Sequence, residues 1–303
     1  MKIVVAGGTG FIGRRLVLEM VAAGHSIVVL TRNPEASKPL FPAAVLLERW
    51  DGKTAAGWGG HVDGADAVIN FAGEPIAAKR WSSGQKERIV ASRINAAQAV
   101  AEAIGRSTRR PALLLNASAV GYYGDVPDGD VPEEREPGSG FLSETCVRWE
   151  SAAMEMKKLG VRVVILRMGI VLGEDGGVLS KLLLSFRLFA GGPLGSGRQW
   201  FPWVHRDDVI RAALHLLTHP EASGPFNISA PEPVTMREFC SALGIVLHRP
   251  SFARVPASVL RLLLGEMSIV VLGGQRVIPR RLLECGFTFK FPTLLPALRS
   301  ILA

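Results

Sequence analysis

The chain has 303 residues, 48% of them hydrophobic and 20% charged, which supports a large core near the upper size of one domain. The formal net charge of +8 comes from isolated basic pairs rather than from a basic stripe, so we expect no nucleic-acid partner. No apolar stretch of about 20 residues is present to span a membrane. The three cysteines are scattered and lack metal-ligand spacing, so we expect no metal site. Their scattered positions also favour the reducing cytoplasm as the location of the protein.

The N-terminal residues predict a strand, a glycine-rich turn, a helix and a second strand. Residues 3–6 are a short apolar run, residues 7–13 read Gly-Gly-Thr-Gly-Phe-Ile-Gly, and residues 27–30 are a second apolar run. Because the first strand begins so early, we expect no signal or transit peptide. Strand, turn, helix and strand in this order are the context that a dinucleotide-binding turn requires.

Each glycine of this turn has a separate physical task. Gly7 allows the tight turn, Gly10 lets the backbone approach a pyrophosphate, and Gly13 lets the helix pack close to the sheet. The free N–H groups at the start of the helix face the phosphate charge. The predicted cofactor contacts in the turn are Gly7, Thr9, Gly10, Phe11, Ile12 and Gly13.

The end of the second strand distinguishes between the two nicotinamide cofactors. An NAD site usually carries an acidic residue here for the ribose 2′-OH, but the chain reads Thr31-Arg32 with no carboxylate before Glu35. An arginine offers a planar donor fork to phosphate oxygens. We therefore predict NADP(H), held by Thr31 and Arg32. The alternative is that Arg32 is a solvated surface residue without a ligand.

Strands and helices alternate along the rest of the first 230 residues. The predicted strands cover residues 45–47, 67–73, 113–117, 161–166 and 226–228, and the predicted helices cover residues 83–104, 142–159 and 207–217. This alternation predicts an α/β fold with a Rossmann-type, doubly wound parallel sheet. We assign residues 1–230 to this domain. Residues 231–303, which begin at Pro231-Glu232-Pro233, are predicted to form a smaller, mostly helical C-terminal lobe.

Three further segments are informative. Residues 125–140 and 173–202 are rich in glycine and proline and are predicted to be long site-forming loops, with residues 173–203 contributing to the substrate side. The apolar run at residues 259–272 predicts a buried helix. Ligands of doubly wound sheets lie beyond the carboxyl ends of the strands. The candidate pocket residues there are Glu74, Trp81, Arg198, Gln199 and Trp200. The alternative is that the tryptophans only pack the lobe against the sheet.

The long helix at residues 83–104 carries two charges at the edge of its apolar stripe, Glu87 and Arg93. A charge in that position needs a partner, and this helix borders the cofactor cleft in a doubly wound fold. We predict that Arg93 contacts a phosphate or ribose of the cofactor and that Glu87 makes a weaker contact near the adenosine. The alternative is a surface pairing with other charges.

The motifs placed in this way resemble the extended short-chain dehydrogenase/reductase superfamily. The resemblance covers nearly the whole chain, and its motifs are the glycine turn and residues 70–73, 118–124, 166–167, 171–173, 203–209 and 226–228. More narrowly, residues 70–76, 191–203 and 275–287 are similar to the atypical subgroup of epimerase family proteins, which includes the bacterial YfcH-like proteins and family 39U. The resemblance implies an NADP(H) cofactor. It also implies cofactor contacts from Phe71, Ala72, Gly73 and Arg167.

The superfamily's catalytic pair, a Tyr and a Lys four residues later on one helix, is missing from this chain. The Tyr position holds Leu142 and the Lys position holds Cys146. The remaining candidates for catalysis are Cys146, Tyr123 and Ser118, for which Ala119 is an equally good alignment. Each has a structural alternative. Ser118 would bond nearby backbone, Tyr123 would pack under the cofactor, and Cys146 would be a small buried hydrophobe.

Two functions are compatible with these observations. In the first, the chain is an NADP(H)-dependent oxidoreductase or epimerase for a small carbonyl or hydroxyl compound, and the proton travels through water, Ser118 or Tyr123. In the second, catalysis has been lost and the chain is an NADP(H)-responsive binding or regulatory module with a protein partner. The missing Tyr-Lys pair supports the second, and the elaborate loop at residues 191–203 supports the first. His205 is expected to be structural.

Overall fold

The computed structural model describes residues 1–302. The strands are, in chain order, β1 (Lys2–Ala6), β2 (Ser26–Thr31), β3 (Leu46–Arg49), β4 (Ala67–Asn70), β5 (Leu113–Ala119), β6 (Val126–Val131), β7 (Arg162–Met168), β8 (Ile170–Gly173), β9 (Gly176–Gly177), β10 (Trp200–Phe201), β11 (Trp203–His205), β12 (Gly224–Ile228), β13 (Val234–Thr235) and β14 (Gln275–Val277). The α-helices are α1 (Gly13–Ala22), α2 (Pro34–Ser37), α3 (Ser83–Arg106), α4 (Phe141–Met154), α5 (Leu179–Arg187), α6 (Arg206–Thr218), α7 (Met236–Leu247), α8 (Ala257–Leu264), α9 (Ile269–Leu272), α10 (Arg280–Glu284) and α11 (Leu294–Leu302). Short 3₁₀ helices cover Lys38–Leu40, Gly59–His61, Val120–Tyr123, Glu155–Leu159 and Gly265–Ser268.

The main sheet has seven strands in the order β12-β7-β5-β4-β1-β2-β3. All of its neighbouring strands run parallel. The chain builds outward from β1 to β3 and then returns to place β4 on the other side of β1, so the strand order reverses between β1 and β4. This confirms the predicted Rossmann-type, doubly wound sheet, and it puts the expected ligand crevice beyond the carboxyl ends of these two strands.

Apolar layers cover both faces of the sheet. Along β1, Ile3 and Val5 join the layer that contains α1 and α6, whereas Val4 and Ala6 join the layer that contains α3 and α4. Strands that are buried on both faces read as continuous apolar runs rather than as alternating patterns. That is why short apolar runs were enough to predict the strands of this domain.

The two predicted long loops contain regular structure. Residues 125–140 include β6, which pairs in parallel with β14 from near the other end of the chain. Residues 173–202 include α5, whose buried side chains Leu179, Leu183 and Phe186 recur at helical spacing. The loop interpretation is wrong for these parts, because the high glycine and proline content outweighed a real helical pattern in the sequence reading.

The predicted buried helix at residues 259–272 is also wrong. The segment forms α8, a 3₁₀ turn and α9, and the break falls at Gly265, which has a φ of +60°. Leu260 is the buried residue of α8, while Leu262 and Leu263 are 76% and 63% exposed. Across residues 1–302, no helix combines the length and apolar character that crossing a membrane requires.

The region after residue 231 is mostly helical, as predicted, and polar contacts tie it to the first domain. Asp208, which has no exposed surface, accepts the backbone N–H groups of Lys290 at 2.7 Å and of Phe291 at 2.8 Å. His205 caps α6 by accepting the Asp207 N–H on Nδ1 at 3.0 Å, and its ring stacks against Phe291. Burial lowers the pKa of His205. These contacts give His205 the structural role that the sequence indicates.

Candidate functional site

The glycine-rich turn after β1 allows close backbone approach. Gly7 has a φ of +76°, a left-handed conformation that residues with a side chain rarely adopt. A Cβ on Gly7 would lie 2.5 Å from the carbonyl carbon of Phe71, and a Cβ on Gly13 would lie 2.2 Å from the carbonyl oxygen of Gly7. The turn therefore packs against the end of β4 on one side and the start of α1 on the other.

The N-terminus of α1 lacks a side-chain cap and has no acidic residue in its first turn. Within residues 1–302 the backbone N–H groups of Phe11, Ile12 and Gly13 have no backbone acceptor, although that of Arg14 donates to the Gly10 carbonyl at 2.9 Å. Gly10 itself is exposed at the tip of the turn. Uncapped N–H groups at a helix start are a ready anion site, so the turn fits a phosphate group.

The side chains of Phe11 and Ile12 anchor this turn. The Phe11 ring lies so close to the loop of β8 and β9 that a Cβ on Gly173 or Gly176 would come within 2.7 Å of it. The Arg206 guanidinium stacks over the same ring at 4.8 Å, and Ile12 packs against the core. Both side chains are half-buried in these contacts, which hold the backbone N–H groups of the two residues at the start of α1.

The corner after β2 presents two arginines. Arg32 is exposed, and Arg49, which pairs with Thr31 in the β2–β3 register, donates from Nη1 to the Arg32 carbonyl oxygen at 3.5 Å. Thr31 is buried, and its Oγ1 lies 3.0 Å from Ser37 Oγ, contrary to the expectation that this hydroxyl is free for a ligand. No sequence motif indicates Arg49, because its position depends on the pairing of β2 with β3.

A buried amide pair shapes the loop after β4. Asn70 Nδ2 donates to Asn116 Oδ1 at 2.8 Å, and Asn70 Oδ1 accepts the Ala72 N–H at 3.2 Å. Phe71 and Ala72 are half-buried against the apolar layers, and Gly73 is exposed. The loop is therefore held beside the glycine turn with Gly73 open to solvent.

Arg93 reaches from α3 to this loop. Its Nη1 donates to the carbonyl oxygens of Glu74 at 3.1 Å and Ile89 at 2.9 Å, and its guanidinium carbon lies 5.1 Å from the centre of the Trp149 ring. Among residues 1–302 it forms no ion pair with a carboxylate. Burial lowers the pKa of Arg93, and the nearby Cys146 and Glu74 oppose that shift.

Glu87 differs from Arg93. Its side chain is exposed, and the buried face of α3 runs through Ile89, Ala96 and Val100 instead. The expectation that Glu87 lies at the edge of the apolar face and needs a partner is therefore wrong. The geometry brings Arg93 but not Glu87 to the loop after β4.

The polar groups expected to act in catalysis lie in one buried network behind the end of β5. Ser118 Oγ donates to Glu150 Oε1 at 2.6 Å, and Arg167 donates to both Glu150 oxygens, at 2.9 and 2.8 Å. Arg167 Nη1 also donates to the Tyr123 hydroxyl at 3.0 Å, and that hydroxyl donates to Asn227 Oδ1 at 2.7 Å. All five residues are buried. Glu150 was missed in the sequence reading, although its spacing of four from Cys146 places both on one helix face.

These contacts contradict three predicted roles. Burial raises the pKa of Tyr123 to about 12, with Arg167 opposing the shift, so its phenol stays protonated and bound to Asn227. Burial acts to lower the pKa of Arg167, but Glu150 and Tyr123 raise it overall, and Arg167 is an internal ion-pair partner rather than a cofactor contact. Ser118 faces Glu150. Because side chains alternate along a strand, the residue directed the other way at the end of β5 is Ala119, which carries no proton to transfer.

Cys146 is a buried thiol rather than an activated nucleophile. Burial raises its pKa to about 11, the Glu150 charge raises it further, and Arg93 acts in the opposite direction. A thiol with such a pKa is protonated near pH 7 and therefore a weak nucleophile. The geometry fits the alternative of a small buried hydrophobe, and with the half-buried Leu142 it leaves no acid or base at the two positions of the missing pair.

Residues 191–203 connect distant parts of the chain. Gln199 Nε2 donates to the Val271 carbonyl at 2.8 Å, and Trp200 Nε1 donates to the Pro127 carbonyl at 3.0 Å. Arg198 is exposed. The predicted pocket role of Gln199 and Trp200 is therefore replaced by a structural one, in line with the alternative that the tryptophans pack the lobe.

Trp81 and Glu74 belong to the segment that follows β4. Trp81 Nε1 donates to the Ile76 carbonyl at 2.8 Å, and its ring meets Phe141 edge-on at 4.9 Å. The Glu74 backbone N–H donates to Ser92 Oγ at 2.9 Å, and its side chain is half-exposed beside Arg93. Of these two, only Glu74 has a side chain that a ligand can reach.

One open cleft in the C-terminal lobe has a volume of ≈ 530 Å³ and is lined by Ser241, Gly244, Ile245, His248, Arg249 and Ser251. None of the residues that the sequence indicates for a cofactor or substrate lies in it. The crevice at the strand ends therefore remains the candidate site.

Comparison with known proteins places this geometry in a family. The model of the NAD dependent epimerase/dehydratase family matches residues 3–229, and a domain of unknown function, DUF1731, matches residues 255–301. The chain is 44% identical over 309 residues to the epimerase family protein SDR39U1 homolog, chloroplastic, of Arabidopsis thaliana, covering 100% of this chain and 87% of that protein. It is 38% identical over 302 residues to an epimerase family protein of Staphylococcus epidermidis, covering 99% of each.

A solved structure is similar along the whole chain. The crystal structure of human epimerase family protein SDR39U1 (isoform 2) with NADPH superposes with a TM-score of 0.89 at 34% identity, covering 99% of each chain. The family model covers the parallel sheet and the loops at its carboxyl ends. This chain therefore belongs to the NAD dependent epimerase/dehydratase family.

Proposed function

We propose that the chain binds NADP(H) and acts as an atypical short-chain dehydrogenase/reductase, an oxidoreductase or epimerase for a small carbonyl or hydroxyl compound. The observation that carries the proposal is the uncapped start of α1 beside the glycine turn, with Arg32 and Arg49 at the next strand corner. The human relative crystallised with NADPH supports the choice of the phosphorylated cofactor.

The roles of the chain's own residues follow from the site. The backbone N–H groups of Phe11 and Ile12 would bind the diphosphate, and Arg32 and Arg49 would bind the 2′-phosphate as charged donor forks. The loop at residues 71–73 would run beside the cofactor. When bound, the nicotinamide supplies or accepts a hydride.

In this proposal, the proton comes from solvent. Ser118 and Tyr123 donate to protein acceptors, and the protonated thiol of Cys146 is buried. Ala119 and Leu142 add no titratable group. What the chain contributes is the binding, orientation and partial dehydration of the substrate, as in other cofactor enzymes.

A second candidate is a catalytically inactive, NADP(H)-responsive binding or regulatory module with a protein partner. The observation that favours it is the buried network, in which the side chains expected to transfer protons serve as internal contacts. A panel of small aldehydes and ketones with NADPH absorbance separates the two candidates. Turnover retained in Ser118→Ala and Tyr123→Phe supports the solvent proton. No turnover on the panel, together with NADPH-dependent capture of a partner, supports the module.

The cofactor proposal predicts a selective effect of Arg32→Ala. NADPH should bind more weakly by about 1–3 kcal/mol, because a charge-assisted hydrogen bond is lost, while NADH affinity should not change. Calorimetric titration of both nucleotides measures the effect. Arg299→Ala, which removes an exposed arginine from α11, is the matched control. Equal weakening of NADPH and NADH, or stronger binding of NADH by the unaltered protein, would contradict the role of Arg32.

A further inference from the structure

The open cleft in the C-terminal lobe is separate from the crevice at the strand ends. Its lining comes from the C-terminal half of α7 and the segment that follows, namely Ser241, Gly244, Ile245, His248, Arg249 and Ser251. The end of α5 adjoins it, because the Arg249 guanidinium stacks on the Phe189 ring at 4.6 Å. The Ala253 N–H also donates to the Gly191 carbonyl at 3.0 Å. The cleft therefore lies where the ends of α5 and α7 meet.

Large apolar side chains are exposed around this cleft. Leu184 and Leu188 lie one helical turn apart on α5, on the face that points away from the lobe core. Together with Phe189, Ile245 and Phe252 they are between 58% and 75% exposed. Single exposed apolar residues are ordinary, but clustered ones mark interaction sites. We call the cleft and these five side chains the lobe groove.

Both helix ends at the lobe groove hold strained backbone. Among residues 1–302, Phe189 with a φ of +59° and His248 with a φ of +53° are the two residues other than glycine that have a positive φ. Glycine is the usual residue at such a helix end, because a side chain is sterically disfavoured in this conformation. Both positions therefore present a side chain where stability alone favours glycine, and strain of this kind clusters at functional sites.

The ionic charges around the lobe groove have one sign. Residues 176–206 and 239–265, which contain the whole groove, include no Asp or Glu. They do include basic residues, namely Lys181, Arg187, Arg198, Arg206, Arg249, Arg254 and Arg261. Arg187 and Arg249 form no ion pair within residues 1–302. The groove is therefore complementary to a negatively charged partner.

The lining of the cleft itself is mostly polar. Ser251 Oγ is buried and has no hydrogen-bond partner among residues 1–302. Arg249 Nη1 donates to the His248 carbonyl at 3.0 Å, and Ser241 is exposed. Hydroxyl and guanidinium groups are donors for a carboxylate. A lipid surface would meet the apolar rim but would not fill this polar recess, whereas the side chains of a peptide can enter it.

We propose that the lobe groove is a docking site for a short acidic segment of a partner protein. Large apolar side chains of the segment pack against Leu188, Phe189 and Phe252, and its carboxylates accept hydrogen bonds from Arg249 and Ser251. Apolar anchors supply most of the affinity of such a contact, while the charges supply specificity. The inference goes beyond the proposed function and does not depend on it, because the groove lies outside the strand-end crevice.

The test begins with a selection of phage-displayed random dodecapeptides on the whole immobilised protein. Relative to the starting library, the selected peptides should be enriched in Asp or Glu together with Leu, Phe or Trp. The most enriched peptide is then synthesised with a fluorescein label, and its affinity for the protein is measured by fluorescence anisotropy.

Arg249→Glu and Phe252→Ser test the two parts of the groove. Arg249→Glu should weaken peptide binding about tenfold or more, because attraction becomes repulsion. Phe252→Ser should weaken it about fivefold, because an apolar contact is lost. The matched controls are Arg106→Glu at the exposed end of α3 and Leu283→Ser on the exposed face of α10, and both should keep the affinity. Thermal unfolding of all four variants checks the fold, and Phe252→Ser carries the test if Arg249→Glu does not fold.

The inference is overturned if the selection enriches no acidic and apolar sequences, or if both groove variants bind the selected peptide as tightly as the controls. Two other occupants would also overturn it. Equimolar phosphatidylglycerol and phosphatidylcholine vesicles that bind the unaltered protein but neither groove variant, with no effect of the peptide, would assign the surface to a lipid bilayer. A dimer of the unaltered protein that both variants convert to a monomer would assign it to a second copy of the chain.

Discussion

Two arginines near the carboxyl ends of β4, β5 and β7, the buried Arg167 and the half-buried Arg93, are accommodated in opposite ways. Arg167 meets the Glu150 carboxylate with two parallel hydrogen bonds, binds the Tyr123 hydroxyl and stacks on Tyr122 at 3.5 Å. Arg93 binds only carbonyl oxygens and has no counterion within residues 1–302. The difference separates polar groups that complete the fold from polar groups that remain available to a ligand.

The largest loss of stability is expected from breaking the ion pair between Arg167 and Glu150. Glu150→Leu removes the acceptor of both Arg167 and Ser118 and leaves a guanidinium charge buried without a partner. Such a change costs about 3–5 kcal/mol in the free energy of unfolding. Urea denaturation followed by circular dichroism measures it.

Two further variants sharpen that measurement. Glu144→Leu changes an exposed carboxylate on the same helix and should leave the free energy of unfolding nearly unchanged. Glu150→Leu combined with Arg167→Met should recover much of the loss, since replacing a whole buried pair is far less costly than breaking it. If Glu150→Leu is no more destabilising than Glu144→Leu, Arg167 does not depend on its ion pair and the contrast with Arg93 disappears.

The smallest expected effect concerns the ionisation of Cys146, which lies close to both Arg93 and Glu150. Burial, with the Glu150 charge, raises the pKa of this thiol from 9.0 to about 11. Between these values the unfolded thiol is ionised and the folded one is not, so its contribution to stability is present below pH 9 and is lost as the pH rises towards 11. At pH 8 we expect iodoacetamide to alkylate the half-buried Cys285 and to leave Cys146 intact in the folded protein, as read by peptide mass spectrometry. Rapid alkylation of Cys146 at pH 8 would instead indicate an accessible thiolate.

The glycine turn and the corner after β2, which are proposed to bind the cofactor, were predictable because the contacts that shape them are local in sequence. The φ of Gly7 and the contact of Gly13 with the Gly7 carbonyl depend on neighbours in sequence, and Arg32 follows directly from the end of β2. Arg49 could not be found in this way. It reaches the same corner only through the register of β3 on β2.

The residues at the end of β5 and in the loop at residues 191–203 were harder to predict because their contacts are long-range. Ser118 and Ala119 are adjacent on β5, and which of them faces the cleft depends on how α4 packs behind the strand. Gln199 appeared to be a pocket residue because its acceptor, the Val271 carbonyl, lies 72 positions further along the chain. A motif shows which side chains are near the strand ends, but not which of them already have partners.

The hydrogen bonds of Asp208 have a consequence for folding of the chain during protein synthesis. Apart from Arg211, its partners within residues 1–302 are the backbone N–H groups of Lys290 and Phe291. A ribosome releases the chain from its N-terminus, so every strand of the main sheet emerges before these two amides. Until then, the carboxylate must either stay hydrated, with α6 not fully packed, or be buried without them, at a cost of about 1–3 kcal/mol. Translation of the C-terminal lobe is therefore a condition for the first domain to reach its final stability.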